Sequence, residues 1–120
     1  MNQQGENNST QLQIDIEDRG EAAVIAVRGS AGMEDADRLR SALEELAERK
    51  VSVIVLELSG MDFICSLGLG AIINGHLKSR HHQGQIRLVN PQKSIRDLLE
   101  TTRLTRLFPI YGDVDQALAG

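Results

Sequence analysis

The residues best placed for chemistry lie in one short loop, from Met61 to Gly70, which holds the only cysteine of the sequence, Cys65, and a serine directly after it. A thiol close to a helix N-terminus can react as a thiolate, which makes Cys65 a candidate redox sensor. A buried thiol that packs as a small apolar group is the alternative interpretation. Ser66 is a candidate N-cap, because a serine oxygen at that position accepts a backbone N–H.

The spacing within this loop excludes three phosphate-binding motifs. A phosphatase-type cysteine loop needs an arginine six positions after Cys65, where the chain has Ala71. A dinucleotide loop of the form G-x-G-x-x-G that begins at Gly68 needs a third glycine where Ile73 stands. The Gly-Lys-Ser/Thr of a Walker loop does not occur. Gly68 and Gly70 are then expected to permit close packing of a helix, and nucleotide binding at helix N-termini remains an alternative.

The other ionisable side chains do not form a catalytic set. His81 and His82 are adjacent, so on a helix they diverge and cannot share a metal as an i, i+4 pair does, and we expect them at a solvated helix end. Glu34, Asp35 and Asp37 crowd the start of a predicted helix, where acidic side chains complement the helix dipole, and we expect them in solvent. The sequence therefore favours a binding domain over an enzyme, with no metal and no organic cofactor.

The composition limits the classes of partner. The 120 residues include 13 basic and 17 acidic side chains, a net charge of −4, and only one Tyr, two Phe and no Trp. Surfaces that bind nucleic acids combine basic charge with exposed rings, and anionic membranes also select basic surfaces. We therefore expect neither nucleic acid nor membrane among the partners. The length fits one domain, and a monomer or a weak dimer is compatible with it.

The absence of targeting signals in the sequence predicts a cytoplasmic protein. No apolar run approaches the roughly 18 residues of a membrane helix. Residues 1–10 are polar, with neither a basic start nor an apolar signal core, and we expect them to form a flexible tail before a domain over residues 11–120. A single cysteine permits no internal disulfide and excludes Cys-rich zinc modules.

Strand-like periodicity occurs in five segments, over residues 12–17, 22–27, 51–58, 85–89 and 107–110. The first alternates apolar and polar residues, which is typical of a half-buried strand. The third is almost continuously apolar, as in a central parallel strand that is covered on both faces. The last is predicted as an edge strand because Pro109 interrupts it. Breaks are predicted at 29–32 and at 59–62, the second as a turn.

Helical periodicity fills the intervals between the later strands. Apolar residues recur every three or four positions over 34–50 and 66–80, again after Pro91, and after Asp113, which is a predicted N-cap. In the second helix we expect burial of Leu69, Ile72, Ile73 and Leu77. Strands that alternate with helices form a mostly parallel sheet with helices packed on it. The predicted fold class is α/β: a single domain with a mixed, mostly parallel sheet of about five strands and about four helices.

The loop after the most apolar strand also carries a family resemblance. The stretch L-E-L-S-G-M-D-F-I-C-S-L-G-L-G-A, from Leu56 to Ala71, resembles the signature of the STAS family, which includes bacterial anti-sigma-factor antagonists and a domain of sulphate transporters. The stretch from Val89-Asn90-Pro91 to Ala117-Leu118 is also similar to the family pattern. The resemblance covers residues 11 to 119, and it implies a STAS-like fold for that whole segment.

What the resemblance implies is a partner switch. In the regulatory branch of the family, the unmodified antagonist binds an anti-sigma factor that is also a serine kinase, and a sigma factor is released. The kinase phosphorylates a serine at the start of the second helix, the pair separates, and a serine phosphatase reverses the modification. By position that serine is Ser66. We expect the partner to bind around Gly32, Met33, Asp62, Ile64, Cys65, Leu67, Gly68 and Leu69.

Two departures from the family pattern leave another hypothesis open. Regulatory members usually have Asp before the phosphorylated serine and Ser or Thr after it, whereas this chain has Cys65 and Leu67. Their loop after the second strand is commonly G-E-x-D, whereas residues 29–32 read G-S-A-G. The alternatives to a phosphorylated antagonist are a STAS scaffold that is not phosphorylated and acts in a larger signalling complex, and the Cys65 redox sensor.

Overall fold

A computed structural model describes residues 12–120 of the chain, so the tail predicted over residues 1–10 lies outside the described residues. Within residues 12–120, five strands and four α-helices follow one another in nearly the predicted order. They are β1 (Leu12–Arg19), β2 (Ala22–Ala31), α1 (Met33–Glu48), β3 (Val53–Ile64), α2 (Ser66–Arg80), β4 (Gln85–Val89), α3 (Lys93–Thr101), a short 3-10 helix (Leu104–Arg106), β5 (Ile110–Tyr111) and α4 (Val114–Ala119).

The strands form one sheet in the order β1-β2-β3-β4-β5. β1 and β2 are an antiparallel hairpin, and all later neighbours are parallel. The hairpin turn passes through Gly20, whose positive φ of 77° suits glycine, and whose N–H donates to Asp18 Oδ1 at 3.1 Å. The predicted α/β class with a mixed, mostly parallel sheet is confirmed.

The helices cover the two faces of the sheet unequally. The main core joins the sheet to α1, α2 and α3, and it includes Leu43, Ile72 and Leu99 from those helices. On the other face, α4 packs Ala117 against Val55 of the central strand. Because β3 alternates its side chains between these two cores, the prediction of a central strand that is covered on both faces is correct.

The segment Ser59–Asp62 is part of β3, so the turn predicted there is wrong. β3 contains two more residues than β2 over their shared length: Ala26 pairs with Glu57 but Arg28 with Gly60, and Gly29 pairs with Met61 but Ser30 with Phe63. These bulges absorb residues that would otherwise form a turn. For the same reason β2 continues to Ala31, through the break predicted at 29–32.

Two further expectations are corrected and one is confirmed. Leu77 is 57% exposed, because the buried stripe of α2 consists mainly of small residues, Gly68, Ala71, Gly75 and Ser79, which a hydrophobic pattern does not detect. The last strand is β5 and not residues 107–110, since Phe108 is buried in the main core ahead of it. Asp113 is the N-cap of α4 as predicted, and its Oδ1 accepts the Gln116 N–H at 2.8 Å.

Candidate functional site

The ends of β2 and β3 bring two loops together at one edge of the sheet. Ala31 pairs with Ile64 in the last position of the parallel register. The Cys65 N–H donates to the carbonyl oxygen of Ala31 at 2.9 Å. Gly32 and Cys65, the residues that precede α1 and α2, therefore lie side by side, as sites in α/β sheets do beyond the carboxyl ends of strands.

Ser66 is the first residue of α2 and not its N-cap. Cys65 occupies the cap position with extended backbone, and no side-chain hydrogen bond caps the helix. Ser66 thus lies next to the N-cap, within the expected position at or near it, but it is not the capping residue. Ser66 is exposed, just after the end of β3 at the carboxyl edge of the sheet.

Three large apolar side chains are exposed around this serine. Met33 is 71% exposed at the start of α1, Phe63 is 51% exposed near the end of β3, and Leu67 is 55% exposed in the first turn of α2. We call these three residues the apolar surface. Phe63 is not among the partner-binding residues expected from the sequence, because there it is one member of a short apolar segment. The bulge at Ser30/Phe63 accompanies its exposure, and bulges cannot be read from hydropathy.

Other predicted binding residues lie beneath this edge. Ile64 and Gly68 are buried, and Leu69 is half-buried and packs against the main core. A Cβ atom placed on Gly68 would lie 2.8 Å from Cγ1 of Ile64, so the glycine allows the first turn of α2 to approach β3. These residues hold the loop in position, while their exposed neighbours are available for contact.

Asp62 supplies a negative charge at the same edge. Its Oδ1 accepts a hydrogen bond from the Ser30 hydroxyl at 2.7 Å, and this bond joins the C-terminal ends of β2 and β3. Asp62 is exposed, so its carboxylate also faces solvent beside the apolar surface. Ser30 was not among the residues singled out in the sequence. Only the bulged register, which pairs it next to Asp62, gives it this role.

A cleft of about 250 Å³ separates the N-terminal halves of α1 and α2. It is lined by Ala36, Asp37, Arg40, Ser66, Leu67, Gly70 and Ala71. Arg40 and Asp37 form an ion pair at one side of the cleft, across from Ser66. Arg40 is not among the site residues expected from the sequence, although its spacing of three residues from Asp37 predicts an ion pair on one face of a helix.

The acidic cluster at the start of α1 is only partly in solvent. Glu34 and Asp37 are exposed as expected, but Asp35 is buried. Its Oδ1 accepts from Arg38 Nη1 at 3.1 Å, and the same nitrogen donates to the carbonyl oxygen of Leu12 at 2.7 Å. The expectation of solvent exposure for Asp35 is wrong. The ion pair with Arg38 compensates the buried carboxylate, and the hydrogen bond from Arg38 to Leu12 links α1 to β1.

The histidines and the cysteine are dispersed. His81 is exposed, whereas His82 is half-buried with Nε2 at 3.1 Å from the Val51 carbonyl oxygen, so only His81 fits the solvated helix end. His76 is buried, and Cys65 is half-buried.

Within residues 12–120, no three His, Cys, Asp or Glu side chains cluster as a metal site would require. None of the helices described over the same residues is long and apolar enough to span a membrane.

Fold and site together define an α/β domain with an exposed apolar surface and a serine at the carboxyl edge of its sheet. The family model of the STAS domain matches residues 13–117, and the chain belongs to that family. It is 26% identical over 108 residues to an anti-sigma F factor antagonist of Paenibacillus polymyxa, a match that covers 89% of this chain and 92% of the relative.

Two solved structures are similar over almost the whole domain. An anti-sigma factor antagonist from Mycobacterium paratuberculosis superposes with a TM-score of 0.81 at 25% identity, over 92% of this chain and 93% of that one. The Bacillus cell fate determinant SpoIIAA in its phosphorylated form gives 0.74 at 16% identity, over 89% and 97% of the two chains. At that identity the second likeness concerns the fold alone.

Proposed function

We propose that this chain is an anti-sigma-factor antagonist that binds an anti-sigma factor with serine kinase activity and so releases a sigma factor. Relatives that cover most of the chain carry the name of anti-sigma factor antagonists, which supports the general role. The observation that carries the proposal is the exposure of Ser66 at the first position of α2, beside the apolar surface. In this role the chain acts as a cytoplasmic binding protein without catalysis or cofactor, as a monomer or weak dimer.

The partner binds across the carboxyl edge of the sheet. Met33, Phe63 and Leu67 each leave at least half of the side chain in water, which is typical of side chains that another protein covers. Gly32 and Cys65, on the two loops, and Asp62, near the end of β3, complete the contact surface. Ile64, Gly68 and Leu69 support this surface from below and are expected to contact the partner little or not at all.

Phosphorylation of Ser66 ends the complex through charge. The partner kinase transfers the γ-phosphoryl group of ATP to Ser66 Oγ, the hydroxyl proton passes to a base of the kinase, and ADP leaves. The phosphate adds about 1.5 to 2 negative charges, which an apolar interface disfavours. Each 1.4 kcal/mol or so of lost binding free energy weakens affinity about tenfold, so one phosphate is sufficient to separate the pair. A serine phosphatase then hydrolyses the ester and restores the hydroxyl.

The first test is whether Ser66 receives phosphate in the native cell. Tagged chain is incubated with ATP in extract from its own cells, recovered, and its intact mass measured. We expect one added phosphate on the wild type and none on Ser66→Ala. Ser94→Ala is the matched control, because Ser94 is likewise an exposed serine in the first turn of a helix and is expected to leave the modification unchanged.

An unphosphorylated STAS scaffold is the second candidate function. It is favoured by Cys65 and Leu67, which replace the Asp and the Ser or Thr that usually flank the phosphorylated serine in the family. Such a scaffold uses the same apolar surface but binds its partner permanently. A wild-type chain that is recovered with a stable partner and no phosphate, even after ATP is added, supports the scaffold and contradicts the switch.

A further inference from the structure

We propose that Arg40 is the receptor for the phosphate on Ser66: after phosphorylation its guanidinium leaves Asp37 and pairs with the phosphate across the cleft between α1 and α2. This inference rests on the proposed function, since it concerns the modified form of Ser66. It assigns to α1 a part in the switch, although the modified residue belongs to α2. Arg40 is a positioning residue in this scheme, because it fixes the phosphate and takes no part in its transfer.

The geometry of the cleft supports this assignment. Ser66 and Arg40 line the same cleft from opposite helices, and Arg40 is the one cationic residue among those that line it. The cleft volume of about 250 Å³ leaves room for a phosphate group. Gly70 and Ala71 also line the α2 side of the cleft, and neither carries a side chain larger than a methyl group.

Arg40 is also free to change partner. Its ion pair with Asp37 joins two exposed side chains of one helix, and such surface pairs contribute little to stability. A phosphate dianion attracts a guanidinium more strongly than a carboxylate does and accepts two parallel N–H bonds from it. Asp37, once released, remains hydrated. By contrast, Arg38 is held by buried Asp35 and the Leu12 carbonyl, so it cannot make this exchange without loosening β1.

The exchange has a consequence for the switch. A phosphate without a local cation would move with the Ser66 side chain in solvent. Paired with Arg40, it is fixed between α1 and α2, next to Leu67 and close to the position where a partner must contact the apolar surface. The phosphate is then a rigid, charged obstacle, and the first turn of α2 is tied to α1 in the modified form.

The test uses the full chain with phosphoserine placed at position 66 during synthesis, so that no kinase is needed. The phosphorus resonance is followed by ³¹P NMR as pH is varied around the second ionisation of the phosphate, near pH 6. A nearby guanidinium stabilises the dianion. Arg40→Gln is therefore expected to raise the midpoint of this titration by about 0.2 to 0.7 pH units, the shift that corresponds to an exposed ion pair.

Two controls separate the contact from the change in net charge. Arg49→Gln removes the same charge from beyond the other end of α1, where Arg49 pairs with Asp18, and is expected to leave the midpoint unchanged. Asp37→Asn removes the carboxylate that competes for Arg40, and it is expected to lower the midpoint. Glu48→Gln removes a carboxylate at the far end of α1, and it is expected to leave the midpoint unchanged. Spectra of the backbone amides check that each variant is folded.

Equal midpoints for Arg40→Gln and Arg49→Gln overturn the inference. That result would not affect the proposed function, which depends on phosphate transfer and partner release and not on where the phosphate rests. The opposite combination is also possible. If the phosphoserine chain gives the predicted midpoints but the wild-type chain receives no phosphate in extract from its own cells, the contact with Arg40 is supported and the proposed switch is contradicted. The two outcomes are distinguishable because the titration contains no partner protein.

Discussion

Leu67 is the residue at which the proposed binding surface is most easily tested. It follows Ser66 directly, in the first turn of α2, and exposes 55% of its surface. An exposed leucine in a first helical turn gains nothing for the isolated domain. Because about half of the side chain remains to be buried, a partner that covers it gains about 0.8 to 1.6 kcal/mol.

Leu67→Ser is therefore expected to weaken binding of the anti-sigma factor by roughly four- to fifteenfold. Leu77→Ser is the matched control, since Leu77 is 57% exposed on the same helix, about 15 Å further along its axis. Isothermal titration calorimetry with the recovered partner measures both. Equal losses in the two variants, or none in either, would place the interface elsewhere.

Individual residues differ in how far their roles follow from sequence. Ser66 and Leu67 stand out because a buried strand followed by a glycine-rich helix start places them at the carboxyl edge. The buried state of Asp35 and the position of Arg40 in the cleft depend on how α1 is rotated against β1 and α2. That rotation is set by packing of the whole helix, so neither role can be read from local spacing.

At the scale of elements, the close packing of α2 depends on its small residues. Gly68 and Gly75 lie on the buried face, and Gly75 would bring a Cβ to 3.2 Å from Cβ of Leu43 in α1. Gly70 belongs to the exposed side of the same helix, where a Cβ would meet no atom within 4 Å. The cost of glycine in a helix is thus balanced by close approach at Gly68 and Gly75 but not at Gly70.

Alanine substitutions at Gly68 and Gly70 are expected to change stability in opposite directions. Gly68→Ala forces a carbon to 2.8 Å from Ile64 Cγ1 and is expected to destabilise the fold by about 1 to 3 kcal/mol. Gly70→Ala is expected to stabilise it by about 0.5 to 1 kcal/mol, because alanine loses less backbone entropy in a helix. Urea denaturation measures both values. A stabilised Gly68→Ala variant would contradict the packing described here.

The elements also show where sequence patterns stop being informative. Strand and helix periods predict α2 and β4 with the bounds that the structure gives. They fail at the second half of β3, because serine and glycine favour turns in isolation, but here they lie in a strand whose register against β2 shifts between Ala26 and Arg28 and again between Gly29 and Ser30. The strand conformation of this segment is decided by pairing with β2, more than thirty residues earlier in the chain. Local composition therefore cannot predict it.

At the scale of the whole molecule, the buried side chain of His76 makes the stability of the fold depend on pH. Its ring packs edge-on against Phe108 at a centroid distance of 5.3 Å, and its Nδ1 is buried without a hydrogen-bond partner among the described residues. Burial lowers the pKa of His76 below its ordinary value of 6.5, and the nearby positive charge of Arg80 lowers it further. The folded chain therefore keeps this histidine neutral at pH values where the unfolded chain protonates it.

The free energy of unfolding is expected to decrease as pH falls below about 6.5 through the lowered pKa of His76. In that range the unfolded chain binds more protons than the folded chain, so stability rises with pH and is fully present above it. His76→Leu, of similar size and without a proton to bind, is expected to lose this part of the pH dependence. His81→Gln, at an exposed position, is expected to retain it. Urea denaturation between pH 5 and pH 8 tests the three proteins, and an unchanged slope in His76→Leu would contradict the assignment.

The central claim for the whole molecule is that a charge at Ser66 controls partner binding without altering the fold. The most direct measurement is the affinity of the anti-sigma factor for wild-type chain, Ser66→Ala and Ser66→Asp, with amide spectra recorded for each free protein. We predict that Ser66→Ala binds as the wild type does, and that Ser66→Asp binds well over tenfold more weakly while its spectral changes stay within the first turns of α1 and α2. Equal affinity for Ser66→Asp and wild type would contradict the account.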